Sequence, residues 1–138
     1  VKIAPNYHFD GRCAAALELY SKAFRAPVTV LLRYRDADPR DMPTDRMTDA
    51  DKDRIYHAEM SIGGQRFMFS DSQAPVPQGQ NISMVVLFDH PDGVRAAFNA
   101  LAEGGQVICS PEATTYSGAF GSVVDRFGMR WELMTENG

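Results

Sequence analysis

The chain has 138 residues, a net charge of −4, 44% hydrophobic and 23% charged residues. That length buries roughly 68% of the unfolded surface, enough for one real core and too little for two ordinary domains. The charge balance and the lack of basic clusters argue against a nucleic-acid surface, and no apolar run approaches the ~20 residues of a membrane span. The opening VKIAPNYHF is too short and polar for a signal peptide, so the expected location is cytoplasmic. Cys13 and Cys109 have no metal-ligand or disulfide-framework spacing and read as packing residues.

Residues 2–9 alternate as a strand, with Ile3, Tyr7 and Phe9 on one face and Ala4, Asn6 and His8 on the other. Cys13, Leu17, Tyr20 and Phe24 then form one helical stripe, which Pro27 ends. A strand over 28–35 leads into a polar connection, 36–53, containing seven aspartates and Pro39 and Pro43. Such a connection inside a compact domain is expected to be a solvated, mobile loop or a lid. Over 55–62, Tyr56, Ala58, Met60 and Ile62 alternate with His57, Glu59 and Ser61, and Gly63-Gly64 supplies the positive-φ pair of a tight hairpin turn. Counting back across that turn puts Met60 opposite Phe67, Ala58 opposite Phe69, Glu59 opposite Met68 and His57 opposite Ser70.

The second half repeats this layout. Gly64-Gln65-Arg66-Phe67-Met68-Phe69 aligns with Gly128-Met129-Arg130-Trp131-Glu132-Leu133, and Phe9-Asp10 with Phe88-Asp89. Val94, Phe98 and Leu101 give a second helical stripe, closed by Gly104-Gly105. A strand over 106–110 and a final hairpin follow, in which Asp125 and Arg130 are expected to pair across the turn. The reading is one domain of two modules, 1–72 and 81–138, joined by a linker at 73–80.

Strand, helix and three strands, written twice, with FDGRCAAALELYSKAF (9–24), HAEMSIGGQRFMFSD (57–71), LAEGGQV (101–107) and GAFGSVVDRFGMRWELM (118–134), resembles the βαβββ-module proteins of the glyoxalase, bleomycin-resistance and extradiol dioxygenase group. This is the vicinal oxygen chelate superfamily, and the likeness is to its PhnB-like branch. Arg126 departs from the pattern, since relatives often carry Pro there. The resemblance implies an α+β fold with curved mixed sheets around a cavity, helices outside, and a homodimer.

The superfamily's usual metal takes ligands from the first and last strand of each module. Those places hold Ala4, Met68, Ser83 and Glu132, a set with one carboxylate and no imidazole. No cofactor is predicted there; a displaced divalent site using His8, His57 and Glu59, with Glu132 as a fourth ligand, is the alternative. The cavity side offers Asn6, His8, Ser70, Ser83 and Glu132 as ligand contacts, and His57 with Glu59, ~6.6 Å apart along one strand face, as an acid–base pair. The bland counterpart is a cross-strand hydrogen bond from His57 to Ser70.

Three functions remain open: a small-molecule-binding protein without the usual metal ligands, a glyoxalase- or dioxygenase-like enzyme with a displaced metal, and a metal-free acid–base enzyme. Relatives in the branch have also been called demethylubiquinone methyltransferases. Such an activity normally uses a glycine-rich strand-to-helix loop, whereas Gly63-Gly64, Gly104-Gly105 and Gly118 read as turns or caps.

Overall fold

The computed structural model describes residues 1–114 and 117–136. The chain divides into two compact units, Val1–Ser21 with Arg25–Val76, and Lys22–Phe24 with Pro77–Gly138. The first contains β1 (Asn6–Phe9), α1 (Cys13–Phe24) as far as Ser21, β2 (Val28–Arg33), a 3₁₀ turn (Tyr34–Asp36), α2 (Asp49–Lys52), β3 (Ile55–Ile62) and β4 (Gln65–Asp71). The second contains β5 (Met84–Phe88), α3 (Pro91–Ala102), β6 (Gln106–Glu112), β7 (Phe120–Val124) and β8 (Arg130–Thr135). Each unit has one four-stranded mixed sheet, ordered β1-β4-β3-β2 and β5-β8-β7-β6, in which the first strand runs parallel to the last. The fold is α+β.

Alternation explains which face of the first sheet is apolar. Tyr20 of α1 has its ring 5.9 Å from Phe69 and 6.3 Å from Tyr7, so Tyr7, Phe67 and Phe69 face the helix. The hairpin register has Met60 opposite Phe67, Ala58 opposite Phe69 and Glu59 opposite Met68, with Gly63 and Gly64 at φ 59° and 80°. Pro5 lacks an N–H, and β1 begins only after it, which leaves Ile3 and Ala4 outside the strand and Ile3 exposed.

Two bulges interrupt β2–β3. The register steps from Leu32 opposite His57 to Arg33 opposite Ile55, skipping Tyr56. One extra residue reverses the parity, so Ile55 joins the buried set and Tyr56 is displaced from it, only half-buried. The 36–53 connection is likewise not plain loop. Thr48 caps α2 by accepting from Asp51 N, and Gln73 Nε2 donates to Met42 Sδ across to the end of β4.

A buried aspartate braces each unit from within. Asp71 accepts from Gly11 N, Cys13 N and Ile55 N at 2.8, 3.0 and 2.9 Å, fixing the start of α1 and β3 to β4. Asp125 accepts from Phe127 N, Met129 N and Trp131 Nε1. This corrects the expected Asp125–Arg130 pair: Arg130 Nη1 donates instead to Gln80 O. Burial pushes the Cys13 thiol pKa well up, with the Asp71 charge adding to it, whereas Cys109 is exposed and does not pack.

Candidate functional site

The face of the first sheet turned away from α1 carries Asn6 and His8 from β1, Arg66, Met68 and Ser70 from β4, and His57 and Glu59 from β3. Glu59 is its hub. Arg66 Nε donates to Glu59 Oε1 at 2.7 Å, Arg66 Nη2 to Oε2 at 2.9 Å, and His57 Nε2 to Oε2 at 2.6 Å. A bidentate guanidinium and an imidazole N–H both favour the charged carboxylate, and they hold the Glu59 pKa down to about 2, Arg66 contributing more than His57. An ionised Glu59 accepts and cannot donate. His57 therefore carries its proton on Nε2, and neutral His57 presents Nδ1 as a lone pair, the base-competent nitrogen.

His57 does not pair with Ser70, as the cross-strand count suggested. Ser70 Oγ lies 3.2 Å from His8 Nδ1, its neighbour in the parallel β1–β4 register, and His57 turns along its own strand to Glu59. Arg66 was missed by sequence reasoning, although the register contained the signal. It sits opposite Ser61, diagonal to Glu59 on the same face, within reach of a long side chain. Beside it, Lys2, Ile3, Ala4, Gly64, Gln65, Arg66 and Met68 line an open hollow.

In the second unit, Ser83 Oγ donates to Glu132 Oε1 at 2.6 Å. Glu132 faces Val85 on one side and Ser122 on the other. The Ser122 hydroxyl is buried without a hydrogen-bond partner among the described residues, and sequence reasoning had not singled it out. A buried serine in a strand has no signature in sequence; only the missing partner marks it.

The superfamily's metal position can be tested on its donors. The registers equate Asn6–Met68 with Val85–Glu132, so Ala4 and Met68 correspond to Ser83 and Glu132. Alanine offers no ligand, methionine a soft thioether, and Ser83 already donates to Glu132. These residues do not fit a hard or borderline divalent cation. Among the described residues no three His, Cys, Asp or Glu side chains are grouped to hold a metal, the His8, His57 and Glu59 set included.

The family described as 3-demethylubiquinone-9 3-methyltransferase matches residues 1–134. The chain belongs to that family. Protein PA1353 of Pseudomonas aeruginosa is similar over 100% of this chain and 99% of its own, with a TM-score of 0.84 and 28% identity. The PhnB protein of Bacillus cereus, carrying the same methyltransferase description, aligns over 98% and 99% with a TM-score of 0.80 and 22% identity. A glyoxalase-related enzyme from Fulvimarina pelagi shares the fold at TM-score 0.65 and 15% identity, covering 97% of this chain and 87% of that one. The fold is thus one that a glyoxalase-related enzyme also has.

Proposed function

We propose that this is a small-molecule-binding protein of the glyoxalase and bleomycin-resistance type, whose ligand lies on the polar sheet faces. The observation that carries the reading is the Glu59 carboxylate clamped by Arg66 and His57 on the face turned away from α1. The clamp fixes His57 in one tautomer and presents Nδ1 as an acceptor. Asn6, His8 and Ser70 add hydrogen-bonding groups, Met68 an apolar contact, and Ser83, Glu132 and Ser122 a second polar set in the other unit. Pockets of this composition bind small molecules without needing a reaction. Two chains would complete these faces in a homodimer, with no metal or other cofactor required.

A metal-free acid–base enzyme is the second reading, favoured by the 2.6 Å His57–Glu59 contact. His57 Nδ1 would take a proton from a bound carbon or oxygen acid, and Glu59 would stabilise the imidazolium that results. Methyl transfer, the activity in the family's description, finds less support. The strand-to-helix turn after β1 has its Gly11 and Cys13 amides bonded to Asp71, and Gly63, Gly64 and Gly104 sit at φ 59°, 80° and 71° in turns or a helix terminus.

The test is a fragment screen with small neutral phenols and enediols, read by amide chemical shifts. Saturable shifts at His57, Glu59 and Arg66, weakened in His57→Gln, are expected. Fragments that bind while leaving all three unmoved would defeat the assignment. Deuterium exchange into a bound carbon acid, lost in His57→Gln, would separate the enzyme from the binding module.

A further inference from the structure

We propose that the first unit holds a second binding site, for a small carboxylate with an aromatic or aliphatic body, between the 36–53 connection and the end of β4. The space is a cavity of about 140 Å³ lined by Tyr34, Met47, Asp51, Arg54, Ser72 and Gln73. It shares no residue with the His57–Glu59–Arg66 cluster. A cavity of about 150 Å³ holds one benzene-sized molecule, so the occupant is a single small ring or branched chain with its charged group at the mouth.

The lining is divided by chemistry. The buried Tyr34 ring, with its hydroxyl already donating to Asp71 O, and the Met47 thioether form an apolar side. Arg54, Ser72 and Gln73 form the other, and the Arg54 donors are poorly used. Arg54 meets Asp51 only at 3.5 Å, whereas the Gln73 amide is shared between the Met42 sulfur and the Tyr34 hydroxyl. A carboxylate gives Arg54 a stronger partner. Gly11 makes the arrangement sterically feasible: a Cβ there would lie 3.1 Å from Arg54 Cζ and Nη2, and its φ of 112° disfavours any side chain. The guanidinium thus lies against bare backbone, held at the cavity wall. Asp51 would oppose the incoming charge were it not paired with Arg54, and the ligand takes over part of that pairing.

Titration of the whole protein with benzoate, followed by the amide shifts of Ser72 and Gln73 and the methyl shift of Met47, tests the site. Saturable movement of all three is expected, with a Kd on the order of a millimolar for so small a ligand. Benzylamine and acetate should each bind at least about tenfold more weakly, the first lacking the anion and the second the ring. Arg54→Gln should lose the same factor. Met47→Glu, at a half-buried position of the connection and outside the core, should abolish benzoate binding by placing a carboxylate in the cavity while leaving the far-ultraviolet spectrum unchanged. Arg66→Gln should leave benzoate affinity intact. Non-saturating shifts, equal affinity for benzylamine, or full affinity in Met47→Glu would overturn the proposal.

Discussion

Glu59 and its partners give the first unit a specific acid response. The carboxyl titrates at about 2 in the folded chain against an ordinary 4.5, so the folded state holds that proton more weakly than the unfolded state does. Its stabilisation is fully present above the unfolded value and is lost as pH falls through the folded one. Thermal melts of the protein and of Glu59→Gln should differ above about pH 5, and the interval should close between about pH 4.5 and 2. Asp71→Ala belongs to the same scale with a larger effect. It strips the acceptor from three backbone amides, Gly11, Cys13 and Ile55, and should cost on the order of 3 kcal/mol by urea unfolding. Ser122→Ala should have the opposite sign, raising stability by about 1 kcal/mol, because the hydroxyl it removes has no partner among the described residues.

At the scale of elements, the hairpin β3–β4 was legible because Gly63-Gly64 and the alternation from Ala58 to Ile62 specify the same register. The bulge at Tyr56 was not, since an added residue carries no composition of its own and shows only when Ile55 and Ala58, three positions apart, are found buried together. Site residues divide the same way. The face bearing His57 and Glu59 followed from period two, while their mutual contact depended on side-chain rotamers and on Arg66. The 36–53 connection read as featureless because its anchors are single residues, Met42, Met47 and Thr48. Limited trypsin digestion should still cut first at Arg40 or Arg46, since the Arg40 side chain is 88% exposed on a segment with few apolar anchors. First cleavage at Arg54 or Lys52 would mean that α2 opens before the connection does.

For the whole molecule, the expected assembly is a two-fold dimer. Val85 and Leu87 on β5, and Val107 and Ile108 on β6, are large apolar side chains exposed on edge strands of the second sheet. Edges of this kind are ordinarily covered. Sedimentation at tens of micromolar should report a dimer, and a monomer at that concentration would refute it. Elemental analysis of protein prepared without chelator should find no stoichiometric divalent metal, as the Ala4, Met68, Ser83 and Glu132 donor set requires. One equivalent of metal, lost in Glu132→Ala and retained in His57→Ala, would restore the metalloenzyme reading.

The parallel pairing of each sheet's first strand with its last has a consequence for the order of folding. His8 and Ser70, neighbours across β1 and β4, are 62 residues apart in sequence. β1 leaves the ribosome well before β4 but has no strand to join until β4 has emerged, and closing so long a loop is slow. Only four residues long and placed on the sheet edge, β1 should therefore be the last element to gain amide protection during refolding of its unit. At ordinary rates of synthesis β4 is exposed before the second unit is complete, so the first sheet can close while its repeat is still being made.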